Sequence, residues 1–402
     1  MTKTDRERQR KAPILRFKGF TDDWEQRKLQ NQVQFFSGLT YSPNDVKDVG
    51  TFVIRSSNIK DNTLVSADNV YVNPNIANSE PVKKDDVIMV VRNGSKGLIG
   101  KHALVTQKID NTVIGAFMTG IRSSTPYFLD VLLDTINFKK EIYKNLGATI
   151  NQITVGNLRK MTFKVPNESE KFKIGNLFKK LNYLLALYER KIKLFDDMIA
   201  YLKQQFFYKQ SSLSFPQSYW KDIAFSKLYI KRKDKNIDVS YDQSKTISVA
   251  NMKYSDRELN SSREYLKTYY ITHFGDIIYE GNRSGNFKYG RFVQNNIGDG
   301  IVSHVFTVYK PINDLDMNFM NNFINYEPIM SKVLLYATTD TLMMHTLHDN
   351  ELMKQKLSLP DKETQTKIGR ILSLISTIKN KFFERKELLI KIKNTLLNTM
   401  FI

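Results

Sequence analysis

The chain has 402 residues, of which 61 are lysine or arginine against 41 aspartate or glutamate, a net charge of +20, and none is cysteine. The missing thiols exclude disulfides, thiolate metal sites and cysteine nucleophiles. Such a positive surplus repels itself unless a polyanion is the working partner, and 41% hydrophobic with 12% aromatic residues suffices for packed cores, so the expectation is a globular nucleic-acid binder of several domains.

Residues 1–20 read as a basic arm, because the first 18 carry seven basic and two acidic side chains. The arm lacks the apolar core of a secretory signal, and no run approaches the ~18 apolar residues of a spanning helix, which points to the cytoplasm and away from a membrane. Residues 21–164 form a first globular block. It opens on Trp24 in DDWEQRKL and holds runs of strand character, TFVIRS at 51–56 and DDVIMVVR at 85–92. GSKGLIGKH at 94–102 approaches a phosphate-binding loop, but Ser95 stands where the first glycine belongs and His102 where a hydroxyl must ligate the metal.

Residues 165–210 predict a spacer helix. Ile174, Phe178, Leu181, Leu185, Tyr188, Ile192, Phe195, Ile199, Leu202 and Phe206 keep the 4-3 spacing of a coiled-coil seam. Pro166 and Glu168 supply the start signal. About 40 residues at ~1.5 Å each span roughly 60 Å, a spacer's length. Off the seam, Leu177, Leu184, Leu187, Met198 and Tyr201 widen the apolar stripe beyond what one antiparallel partner covers, which predicts that a further protein docks there.

Residues 211–358 form a second block, opening on Trp220 in SYWKDIAF and holding KTISVA, GDIIYEG and the loop NRSGNFKYGR at 282–291. Residues 359–402 predict a second spacer helix, started by Pro360 and Glu363. Its seam is read as Ile368, Ile371, Ile375, Ile378, Phe382, Leu389, Ile392 and Leu396, broken near Arg385.

The two halves repeat. VPNESEKFKIGNL at 165–177 matches LPDKETQTKIGRI at 359–371, and YERK at 188–191 echoes FERK at 383–386. Asp86-Val87-Ile88 matches Asp276-Ile277-Ile278, and Gly100-Lys101 matches Gly290-Arg291. The loop at 94–102 therefore has a twin at 282–291 that keeps its glycines and positive charge but discards the glycine–lysine spacing. A phosphate cradle does not tolerate that drift, whereas two loops that meet different DNA sites should differ, so both are read as DNA-facing turns.

The order of block, long helix, block, long helix, with KIGNLFKKLNYLLALYERKIKLFDDMIAYLKQQFF and KIGRILSLISTIKNKFFERKELLIKIKNTLLNTMF as the helices and PILRFKGFTDDWEQRKL as the opening, resembles the specificity subunit of type I restriction–modification systems. The resemblance implies an α+β fold with a pseudo-twofold internal repeat, in which two target recognition domains alternate with two long helices packed antiparallel as a coiled-coil spacer. It implies a non-catalytic subunit that reads a bipartite, asymmetric sequence in double-stranded DNA. It further implies two methyltransferase subunits that use S-adenosylmethionine on adenine N6, and restriction subunits that use ATP and Mg²⁺, as partners. No cofactor is then expected in this chain itself.

Arginine and lysine bind guanine edges and phosphate, and asparagine binds adenine. The candidate DNA contacts are Tyr41, Arg55, Asn58, Arg92, Asn93, Ser95, Lys96 and Lys101 in the first block, and Lys231, Arg232, Lys233, Asn251, Lys253, Arg283, Asn286, Lys288 and Arg291 in the second. The competing reading is a self-sufficient or fused DNA-modifying enzyme. Its signatures fail: NPNI at 73–76 lacks the second proline of an adenine-methyltransferase motif, GDIIYEGNR has Asn282 where a nuclease lysine belongs, and HTLH at 345–348 has no third metal ligand nearby. A coiled-coil structural protein would leave the charge and the twin loops unexplained.

Overall fold

The computed structural model describes residues 12–146, 151–208, 220–255, 262–282, 286–340 and 344–402. The chain forms two compact units, residues 1–189 with 384–402, and residues 190–383. Both divisions fall inside long helices, Glu168–Phe207 of 40 residues and Lys362–Thr399 of 38. Each unit thus owns one globular block and a portion of both helices. Among the described residues no helix is long and apolar enough to cross a membrane.

The first unit is built on an antiparallel sheet of strands β1 (Gln34–Ser37), β2 (Val87–Val90), β3 (His102–Leu104) and β4 (Met118–Arg122), in the order β1-β4-β2-β3. Every residue of β2 is buried, as an unbroken apolar run requires of a strand covered on both faces. Asp86, one residue before β2, is buried too. Its carboxylate takes both arms of Arg122 at 2.8 and 3.2 Å and the N–H of Lys83 at 2.8 Å. A ribbon of Glu25–Lys28 with Thr162–Val165 ties the start of the block to the entry of the long helix.

That helix begins where its sequence signals it: the Asn167 side chain accepts the N–H of Glu170 at 2.9 Å, leaving fewer orphan donors in the first turn. Ile174, Phe178 and Leu181 then enter the core together with Met400, with Leu389, Leu396 and Phe401 packed against them. Phe178 faces Phe401, and Glu189 pairs with Lys386 at 2.9 Å, so the helices run antiparallel within this unit. Gly175 marks the closest approach: a Cβ there would lie 2.7 Å from the backbone nitrogen of Phe128, in the helix Pro126–Asp134. The described part of the basic arm is docked. Arg16 grips the buried Glu170 carboxylate at 2.9 and 2.7 Å, Trp24 donates to the same carboxylate at 3.2 Å, and the N–H of Leu15 reaches the carbonyl of Thr399 at 3.0 Å.

The second unit repeats the plan. Strands β5 (Tyr229–Lys231), β6 (Ile277–Glu280), β7 (Arg291–Gln294) and β8 (Thr307–Pro311) take the order β5-β8-β6-β7, and a ribbon joins Lys221–Ala224 to Lys356–Leu359. Buried Asp276 accepts both arms of Arg232 at 2.7 and 3.1 Å. Phe206, Phe207, Ile368 and Leu372 share the core, while Phe195 meets Phe382 and Asp196 pairs with Lys379 at 2.9 Å, again an antiparallel pairing. Gly369 repeats the role of Gly175, with a Cβ only 2.6 Å from the Phe319 nitrogen.

The second helix differs from the seam expected for it. Ile371, Ile378 and Ile392 are exposed. The line turned inward runs through Ile368, Leu372, Ile375, Lys379, Phe382, Lys386, Leu389, Lys393, Leu396 and Met400. Lysines at 379, 386 and 393 hold seam positions by extending their apolar stems inward and their ammonium groups to Asp196, Glu189 and Asp134, the last at 3.7 Å. Ile368, Ile375, Phe382, Leu389 and Leu396 of the expected seam do lie on this line; Ile371, Ile378 and Ile392 are off it, in place of Leu372 and the lysines. Leu177 packs against the first core and Leu187 is half-buried, so neither is available as a docking side chain, whereas Leu184, Met198 and Tyr201 are exposed.

Candidate nucleic-acid interface

The loop that follows β2 is rigid at its base and open at its tip. The N–H groups of Val91 and Arg92 both donate to the carbonyl of Phe117, at 2.9 and 3.2 Å. Arg92 forms a bridge with Gln152, the N–H of Asn93 reaches the carbonyl of Asn151 at 3.2 Å, and the Asn151 side chain donates to the carbonyl of Gly94 at 2.8 Å. Asn93 also donates to the Ser56 hydroxyl at 3.1 Å. Beyond this brace Gly94, Ser95, Lys96 and Gly97 are exposed, and a Cβ on either glycine would meet nothing within 4 Å.

Gly100 explains the near miss to a phosphate loop. It adopts φ +87°, a left-handed conformation that glycine takes without a Cβ clash, and its N–H closes the turn on the carbonyl of Val90 at 2.9 Å. His102, at the metal-binding position of that motif, is buried, with ring nitrogens 3.2 Å from the carbonyls of Gly100 and Asp130. The glycine is a turn residue and the histidine a core residue.

The twin loop after β6 has the same construction. Asn282 bridges Met344, the N–H of His345 donates to the carbonyl of Gly281 at 2.8 Å, and Gly290 closes the turn at φ +77°. Asn286 and Lys288 are exposed; the N–H of Lys288 donates to Glu327 at 3.2 Å, and its ammonium lies over the Tyr289 ring. Arg283 lies outside the described residues.

The remaining candidates divide by what their side chains already do. Asn58 is buried, donating to the carbonyl of Ala67 at 2.7 Å and to Asn69 at 3.0 Å while accepting the N–H of Arg55 at 2.9 Å. Arg232 is committed to Asp276 and Asp234, and Arg291 to Glu280 at 2.7 Å and the carbonyl of Ala250 at 3.2 Å. Lys231 pairs with Asp349, and Arg55 donates to the carbonyl of Asp68. The sequence placed these beside the exposed loops by residue type; the fold spends them on turns and buried carboxylates. Tyr41 packs beside the Leu39 cluster, Asn93 braces its loop and Lys101 is half-buried. Arg92, Ser95, Lys96, Lys233, Asn251, Lys253, Asn286 and Lys288 remain exposed. Phe117, Ser56 and Asn151, which shape the first loop, were not legible as site residues because they come from distant segments.

Enzymatic constellations do not assemble from the residues suspected of them. His345 opens the strand His345–Leu347 and His348 follows it, so they share no helical turn; the first faces Asp340 at 3.2 Å and the second the Thr339 hydroxyl at 2.8 Å. Asp276 and Glu280 each neutralise an arginine. No group of three or more metal-ligating side chains comes together among the described residues.

Residues 21–194 match the family described as the type I restriction modification DNA specificity domain. No curated protein matches the chain. Among solved structures, the S subunit of a type I restriction–modification system from M. genitalium superposes with a TM-score of 0.65 at 14% identity, covering 97% of this chain and 99% of that one. A structure described as showing complex assembly and conformational transition of the type I R-M system gives a TM-score of 0.52 at 14% identity, covering 93% and 96%. Residues 21–194 thus match the DNA specificity domain of type I restriction–modification systems, and the chain as a whole has the same doubled fold as a solved S subunit of such a system.

Proposed function

We propose that each unit reads one half of a split, asymmetric target in double-stranded DNA, and that this chain directs catalytic partners without catalysing a reaction itself. The observation that carries this reading is the pair of braced loops, set after equivalent strands of two equivalent sheets and ending in different exposed side chains: Arg92, Ser95 and Lys96 in one, Asn286 and Lys288 in the other. A common frame with unlike tips suits a reader of two unlike half-sites. The net charge of +20 supplies the sequence-independent attraction to phosphate.

The partners in this proposal are two adenine methyltransferase subunits and, where restriction occurs, ATP-dependent restriction subunits. They bring S-adenosylmethionine, ATP and Mg²⁺ to the complex, which would work in the cytoplasm. Support for docking comes from the exposed apolar residues of the long helices. Leu184 and Leu388 lie in the first unit, Leu194, Met198, Tyr201, Leu374 and Ile378 in the second, more apolar surface than isolated helices leave bare in water.

The test is methylation mapping in a methylation-free host, with this chain co-expressed with the methyltransferase subunit of its system. One split, asymmetric motif with a modified adenine in each half, lost when this chain is omitted, is the expected result. A continuous palindrome, or a motif that persists without this chain, would overturn the proposal.

A further inference from the structure

Each of the two loops contains an arginine set over a phenylalanine ring, and the two are in different electrostatic states. In the first unit the guanidinium carbon of Arg92 lies 4.9 Å from the centre of the Phe117 ring. Phe117 is 53% exposed, so its ring face is open to the guanidinium at the surface. Its backbone is fixed, since its carbonyl takes the N–H groups of Val91 and Arg92 and the next residue closes a turn onto Gly115 at 2.9 Å. Arg92 is exposed and has no carboxylate partner among the described residues. In the second unit Arg291 lies 5.2 Å from the Phe287 ring, but its Nε donates to Glu280 at 2.7 Å.

We propose that Phe117 is a positioning residue that holds Arg92 to read a guanine in the half-site met by the first unit, and that Arg291 has no such role. This rests on the DNA-reading proposal above. A guanidinium held over a ring keeps its N–H edges free, and those edges match the O6 and N7 acceptors that guanine shows in the major groove. A free arginine would lose side-chain entropy on forming that contact; a fixed ring beneath it removes part of the loss before DNA arrives. Ser95 and Lys96 on the open tip beyond Arg92 provide phosphate or neighbouring-base contacts, whereas Arg291 is already neutralised by a buried carboxylate and would leave Glu280 unpaired if it turned to DNA.

The experiment uses the complex of this chain with its methyltransferase subunits and duplexes of the mapped target, with each guanine replaced in turn by 7-deazaguanine, which lacks N7. Wild-type complex should lose about tenfold in affinity at one guanine. Arg92→Lys, which keeps the charge but not the two-pronged edge, should weaken unmodified DNA by about ten- to a hundredfold and abolish that sensitivity. Phe117→Ala should act in the same direction and less strongly, Phe117→Tyr should retain the wild-type pattern, and Arg291→Lys should leave all guanine sensitivities in place. Unchanged readout of the other half-site is the control for folding. If the chain-dependent motif keeps its guanine sensitivity in Arg92→Lys and Phe117→Ala, or has none in the affected half, this assignment fails while the DNA-reading proposal stands; if the motif does not depend on this chain, the underlying reading fails.

Discussion

Asp86 and Asp276 stand one residue before equivalent strands, both buried, and each is met by the two arms of an arginine. The arginines nevertheless come from different strands: Arg122 ends β4, whereas Arg232 follows β5. A few residues further on, the loops after those strands share a brace and a closing glycine while their exposed side chains have no counterpart in one another. The repeat is held where physical constraint acts on it. A buried carboxylate must be neutralised, and any neighbouring strand within reach can supply the cation. An open loop tip carries no such requirement, and its residues are free to suit whatever it meets.

Breaking the framework pairs should have the largest effect. Arg122→Ala and Arg232→Ala each leave a buried carboxylate uncompensated and should cost about 3–5 kcal/mol in chemical denaturation, while Arg92→Ala, which holds no carboxylate, should leave stability unchanged. An equal loss in all three would erase the distinction between framework and tip.

Asp130 is a buried carboxylate that no arginine among the described residues meets. Burial pushes Asp130 up to about 6, against the pull of His102 and Lys393 and with the push of Asp134. At its counterpart in the second unit the helix Met317–Phe323 carries Asn321. Because the folded-state value is raised, the folded protein holds the proton more tightly, and stability should fall as pH rises from about 4 through about 6. Asp130→Asn should therefore stabilise the chain by up to ~3 kcal/mol near pH 7 and by little near pH 4. Denaturant midpoints measured at both pH values decide it; a gain that does not grow with pH would refute the assignment to Asp130.

Smaller effects separate glycines and surface pairs. Gly369→Ala forces a Cβ to within 2.6 Å of the Phe319 nitrogen and should cost about 1–3 kcal/mol, whereas Gly94→Ala, with nothing within 4 Å, should cost far less; thermal melts of the two variants make the comparison. Lys386→Met removes a pair whose Glu189 side chain is largely exposed and should change stability by less than about 1 kcal/mol. A loss of several kcal/mol there would mean that the seam lysines govern the helix pairing, unlike the buried framework arginines.

How much was legible depended on whether a residue's role was local. The first helix seam from Ile174 to Phe206 could be read because every position is apolar; the second could be read only at Ile368, Ile375, Phe382, Leu389 and Leu396, because Lys379, Lys386 and Lys393 are inward-facing only in company with their acidic partners. The twin loops were visible from Gly100 and Gly290, whose left-handed conformations require glycine. Which of their arginines is free was not visible, since that depends on Glu280, which takes Arg291 across a strand end, and on a phenylalanine twenty-five residues away from Arg92 in the chain.

The doubled plan, the two long helices with their repeated KIG, and the positive charge that calls for a polyanion are legible in the chain alone. These follow from periodicity, turn chemistry and composition, which act over a few residues or over the whole chain. Folding alone commits Asn58, Arg232 and Arg291 to the framework and sets Arg92 on Phe117 with its charge unspent. A charged side chain's role is set by the partner that reaches it, and those partners come from segments brought together only by folding.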